Sequence, residues 1–373
     1  MTATVDPQTN GQIERLDAIQ FLRFAAALLV VILHANIFSN AHFPRPFADP
    51  VVMFAELGTA GVPIFFVISG FIMYHTSARN FGKPNAPKAF ILRRLARVYP
   101  IYWLCLILYI AFRQDMGDLT STISSLLQVL GSALLLPGLA NDIISPAWTL
   151  AYEIYFYLAF GLILFLPRTL GIWVISVFFI GSVIIGRSTG IYTWNAVFEQ
   201  MAKPVLLEFL AGIYIAMIVA SPRLRPLWHH EWVAKALFWS GLVGLALVPF
   251  VKPYNVPDII MLGVPATLIV AWAVVREKLG NTPMIVRKLA FLGDSSYSLY
   301  LIHILVMSQM QPLLWWFTKR GLTSDVTLII AMTITSILVS LALHYWLEKP
   351  VHRLVRRALL APERRRAQKA KAL

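Results

Sequence analysis

Leu16–Phe38, LDAIQFLRFAAALLVVILHANIF, is the stretch whose reading decides the fold. From Ala18 onward it is nearly all apolar, and at about 20 residues it is long enough to cross a hydrocarbon core as a helix. Two residues interrupt the apolar run, Arg23 and His34. At about 100° per residue they return to within about 20° of one face, about 16 Å apart along the axis. An arginine near a bilayer centre costs roughly 2.5–3.5 kcal/mol on insertion scales, and less where it can snorkel to a helix end. Two readings are open for this polar stripe. It is either a snorkelling arginine with a helix-packing histidine, or the lining of a site within the membrane.

The rest of the chain repeats the apolar pattern. Of 373 residues, 58% are hydrophobic and 13% charged, and the mean hydropathy is +0.69, which excludes a soluble domain of this length. The spacing predicts an all-α, polytopic membrane helix bundle of about ten transmembrane helices. They lie over 18–39, 57–76, 97–113, 147–166, 170–186, 204–220, 235–251, 258–275, 291–312 and 324–346. Segment 124–139 is too short to span and reads as a re-entrant or interfacial piece. The domain plan is an N-terminal tail (1–17), a transmembrane unit (18–347) and a basic tail (348–373). The N-terminus lacks a signal-peptide core, so the first helix is expected to stay as an anchor.

The net charge of +14 points to nucleic acid only if its placement is ignored. With the N-terminus inside, three-quarters of the 32 Lys and Arg residues fall in segments predicted to be cytoplasmic. That is a strong positive-inside pattern, and it places both termini in the cytoplasm. Contact with anionic membrane lipids explains the basic tail better than nucleic acid does, and a tail that only sets the topology explains it about as well. Cys105 is the one cysteine and sits in an apolar run, so no intramolecular disulfide can form. No metal is predicted.

Several constellations carry possible chemistry. The run FILRRLARVYPIYW puts Arg93, Arg94 and Arg97 at the predicted cytoplasmic mouth of the third span. Guanidinium forks bind phosphates bidentately, so a phosphorylated ligand stands beside simple topological anchoring as a reading. In SPAWTLAYEIYFYLAF, Glu153 falls at a depth similar to that of His34 on the first span. The two could form an acid–base pair, or a bond that merely locks two helices. Trp148 and Tyr152 suit a substrate-lined mouth or an interfacial belt. Ser69, in VISGF, falls near mid-bilayer where small residues allow close approach. Tyr297, Tyr300 and His303 follow in GDSSYSLYLIH, with Tyr297 and His303 as candidate cavity linings.

These runs, in order, resemble the acyltransferase-3 family of integral membrane proteins, and within it the exopolysaccharide-production (ExoZ-like) branch. The motifs LRFAAALLVVILHA, AGVPIFFVISGFIM, RRLARVYPIYW, WTLAYEIYFY and GDSSYSLYLIH cover about residues 16–350. The resemblance implies O-acylation of a glycan, most often O-acetylation, with acetyl-CoA as the donor and a carbohydrate as acceptor. It implies a bacterial inner-membrane location, with other polysaccharide-synthesis machinery as a further partner. The essential Arg and His of the family's first span fall on Arg23 and His34, its arginine motif on Arg93, Arg94 and Arg97, and its acidic residue on Glu153. Some members continue into an esterase-like domain. This chain ends in a basic tail, so the transfer chemistry is expected in the membrane unit.

A proton-coupled transporter or flippase is the rival reading, because intramembrane Arg, His and Glu also serve carriers. A structural partner in a synthase complex is the third. No inverted repeat supports the carrier.

Overall fold

The computed structural model describes residues 16–112, 123–140, 143–254, 256–355 and 357. Most of the tails expected over 1–17 and 348–373 lies outside the described residues. The chain forms α1 (Asp17–Asn40), α2 (Pro50–Glu56), α3 (Gly61–Ser77), α4 (Ala86–Phe112), α5 (Ile123–Ala133), α6 (Trp148–Ile163), α7 (Arg168–Thr189) and α8 (Ala196–Ala202). It continues with α9 (Val205–Ala220), α10 (Arg225–Trp228), α11 (Glu231–Val251), α12 (Val264–Lys278), α13 (Met284–Leu289), α14 (Ser296–Lys319) and α15 (Asp325–Leu343). No strand occurs among the described residues. Nine of their helical segments are long and apolar enough to cross a membrane, and these fall on nine of the ten expected spans. The tenth, α6, has 16 residues, about 24 Å.

Small residues set how closely the helices meet. A Cβ on Gly58 or Gly61 would lie 2.3 Å from the Leu29 carbonyl oxygen or 2.5 Å from that of Ala26 on α1. Gly70 and Gly212 interlock α3 with α9, where added methyls would lie 2.0 Å from the carbonyl oxygens of Phe209 and Val67. Such contact fits a bundle whose helices attract one another through packing rather than through a hydrophobic drive. The start of α1 is fixed from a distance. Glu277, at the end of α12, accepts from the backbone N–H groups of Asp17 (3.1 Å) and Ala18 (2.8 Å). Both are among the first amides of the helix, which have no partner within it.

One segment departs from the sequence expectation, and another is too short to span, as expected. First, α4 begins at Ala86 rather than near residue 97, so the arginine motif lies inside a helix. Phe90 is buried against Tyr157 and Phe160 of α6, and that packing carries the helix beyond its apolar run. Second, the 124–139 segment is an 11-residue helix followed by a turn in which Leu135 (φ 55°) and Gly138 (φ 79°) take left-handed conformations. The carbonyls of Ser132, Ala133 and Leu134 accept from Tyr102 (2.7 Å), Trp103 (2.9 Å) and Tyr99 (3.1 Å) of α4. Tyr102 lies about 15 Å below the last residue of α4. A helix end at that level is tolerated because protein donors satisfy its last carbonyls.

Candidate active site

α1, α3, α4, α6 and α14 enclose a cavity of about 790 Å³. On α3 its lining runs from Ser77 to Val62, about 22 Å along the helix axis. Arg23, Arg93, Arg94 and Arg97 all line it, against one lining carboxylate, Glu153. The end bearing Arg93, Asn80, Thr76 and His75 is polar, and the far end is closed by Val62, Phe65, Thr149 and Tyr300. Apolar side chains of α3, among them Phe66, Ile68, Ile72 and Met73, line the length between. The cavity therefore combines a cationic end with a mostly apolar length beyond it.

The guanidiniums are held differently. Arg94 donates to the Thr76 hydroxyl (3.1 Å) and lies 5.5 Å over the Phe90 ring and 5.9 Å over the Tyr157 ring. Arg23 donates to Gln20 (3.0 Å), one helical turn earlier. Its electrostatic neighbours include Arg97, Glu348, Glu153 and Asp294. Arg93 and Arg97 are exposed and hold no hydrogen bond or ion pair among the described residues, which leaves their forks available to an anion.

Glu153 does not meet His34. Its Oε1 accepts from Ser69 (3.2 Å) and from the Tyr157 hydroxyl one turn away. The expectation of equal depth fails because α6 starts within the bundle. Thr149, at its second position, shares a 2.9 Å hydrogen bond with Tyr300, which precedes His303 by three residues. Glu153 therefore lies further toward the arginine end than the histidines do. The signal for its real partner was the four-residue spacing to Tyr157.

His34 instead faces His303. Their ring centroids are 5.0 Å apart at 65°, and His303 Nε2 lies 3.4 Å from His34 Nδ1. Neither imidazole lines the cavity. The Tyr300 ring, 6.1 Å from that of His303 and 5.7 Å from that of Phe65, stands between the cavity and the histidine pair. Of the other expected linings, Ser69 and Tyr297 face the cavity, while Trp148 and Tyr152 do not. Trp148 is exposed beside Lys203, and Tyr152 is buried against Phe66. His75, which the sequence left unassigned, lines the cavity and stacks on Phe71 at 5.5 Å. Among the described residues no group of three or more His, Cys, Asp or Glu side chains is placed to hold a metal ion.

Comparison with known proteins agrees with the motifs. Residues 16–345 match the family model described as Acyltransferase domain. The chain is 33% identical over 310 residues to Exopolysaccharide production protein ExoZ of Rhizobium meliloti (strain 1021), covering 80% of this chain and 90% of that one. It is 27% identical over 387 residues to Acyltransferase MdmB of Streptomyces mycarofaciens, covering 93% and 94% respectively. No solved structure matches the chain.

Proposed function

Because the chain belongs to the acyltransferase-3 family and is a multi-pass membrane O-acyltransferase, we propose that it moves an acetyl group from acetyl-CoA to a hydroxyl of an exported polysaccharide or its lipid-linked precursor. Family membership removes the ground for a carrier without chemistry. The bacterial inner membrane is the compartment this reading requires, with other polysaccharide-synthesis machinery as a partner.

The single observation carrying the donor assignment is four guanidiniums against one carboxylate around a cavity whose lining on α3 runs about 22 Å. Phosphates of coenzyme A suit Arg93, Arg94 and Arg97, with Arg23 further in, because bidentate guanidinium–phosphate pairs are among the strong hydrogen bonds. The pantetheine arm suits the apolar length that runs toward Tyr300. There the Thr149–Tyr300 hydrogen bond has to open for the thioester to approach His34.

In the transfer, His34 takes the proton of the acceptor hydroxyl as its oxygen bonds to the thioester carbon. The carbon–sulfur bond breaks, and the departing thiolate takes up a proton, giving the acetyl ester and free coenzyme A. General-base help of this kind contributes typically 10²–10⁴-fold. Relay through an acetyl-His34 intermediate uses the same nitrogen. Glu153, held by Ser69 and Tyr157, is assigned to orienting Arg23 and the donor rather than His34.

The test is the O-acetyl content of secreted and surface polysaccharide, read by NMR. It compares a strain lacking the gene with the same strain given the wild type or His34→Ala at equal membrane abundance. Acetyl is expected to vanish with the gene, return with the wild type and stay at least 100-fold lower with His34→Ala. Full acetylation by His34→Ala would remove His34 from the chemistry.

A further inference from the structure

Resting on the reading of His34 as the base, we infer that His303 is its positioning partner, the group that accepts the His34 Nδ1 proton and holds the other ring nitrogen ready to react. His34 Nδ1 lies 2.8 Å from the Val30 carbonyl oxygen, and His303 Nδ1 lies 3.2 Å from that of Leu299. A carbonyl oxygen only accepts, so each Nδ1 carries its proton. A neutral His303 then presents a bare Nε2, and that atom lies 3.4 Å from His34 Nδ1. The His34 N–H is therefore shared between Val30 and His303, and the lone pair of His34 falls on Nε2. That atom has no partner among the described residues.

When His34 Nε2 takes the hydroxyl proton, the positive charge spreads to Nδ1–H. A bond from that group to His303 Nε2 then becomes charge-assisted and strengthens. His303 is fully enclosed, so no water competes for the contact. An acceptor behind the base is the arrangement by which a histidine's tautomer and orientation are held elsewhere, with a carboxylate usually in that place. Here an imidazole holds it, and Glu153 lies on other partners.

The amides asparagine and glutamine separate this role from simple packing. In His303→Gln an amide group reaches the place of Nε2 and can accept from His34. In His303→Asn the amide reaches only the place of Nδ1, keeping polarity and the Leu299 contact while losing the acceptor. The measurement is the initial rate of radiolabel transfer from acetyl-CoA to endogenous glycan, in membranes holding equal amounts of full-length protein. It is made over a range of acetyl-CoA concentrations, with His34→Gln alongside. His303→Asn is expected to lower kcat by about 10- to 100-fold with KM for acetyl-CoA unchanged, and His303→Gln to recover most of the rate. Equal rates for the two amides, or a faster asparagine variant, would overturn the role of His303 while leaving His34→Gln inactive. An active His34→Gln variant would instead overturn the base assignment, and this inference with it.

Discussion

Arg93 and Arg94 adjoin in sequence, yet the fold gives them different duties. Arg94 is tied to Thr76 and flanked by two rings, so it supports the α4–α6 contact as well as the cavity charge. Arg93 is exposed and offers only its fork. A hydrogen bond to a charged group contributes about 1.5–3 kcal/mol net, or about 10- to 150-fold in affinity. Arg93→Gln is accordingly expected to weaken acetyl-CoA binding by that factor, with thermal stability unchanged. Arg94→Ala is expected to weaken binding and also lower the melting temperature, because packing is lost with the charge. Titration calorimetry and thermal unfolding of detergent-solubilised protein check both, and unaltered binding by Arg93→Gln would end the phosphate assignment. The candidate residues were legible in the sequence because charge in an apolar helix is costly, and so stands out. Their pairings were not. Counting depth along each span pairs Glu153 with His34, whereas α6 starts at the level of Tyr300.

At the scale of elements, hydropathy located the spans because it reports contact with lipid, and it missed what protein contact alone supports. The polar stretch from Ala86 to Ala96 reads as loop, but Phe90 anchors it as helix. The segment around Leu135 carries no spanning signal, and the three aromatic donors on α4 that hold it are distant in sequence. Glycines were equally ambiguous, since packing and ligand approach both demand small residues. The structure decides for packing at Gly70 and Gly212, where backbone oxygen fills the space a methyl would need. Overpacking of this kind typically costs about 1–3 kcal/mol, and more where backbone must move. Gly70→Ala and Gly212→Ala should each destabilise by at least that much. Gly181→Ala on α7, with nothing within 4 Å of the new methyl, should stabilise by about 0.5–1 kcal/mol. Reversible unfolding in mixed micelles measures all three, and a tolerated Gly70→Ala would mean that α3 and α9 are less rigidly interlocked.

For the molecule as a whole, the arginine-bearing end of the cavity and the histidine pair lie at different depths of one bundle, and direction is what makes that arrangement useful. An acetyl-CoA donor is made in the cytoplasm, so the end of the cavity bearing Arg93 must face that side. The Lys and Arg bias predicts this orientation from charges mostly remote from the cavity, so the two arguments are independent. Cys105 is fully buried, so labelling by a membrane-impermeant maleimide reports almost entirely on an introduced cysteine. Lys83, between α3 and α4, and Thr193, between α7 and α8, are both exposed and lie in loops expected on opposite sides. In intact cells exposed to the reagent, Thr193→Cys should label and Lys83→Cys should label only after the membrane that holds the protein is opened. The reverse pattern would point the guanidiniums outward, away from any coenzyme A. The donor assignment would then fall even if His34 and His303 proved essential, because a thioester cannot bind at a site it never meets.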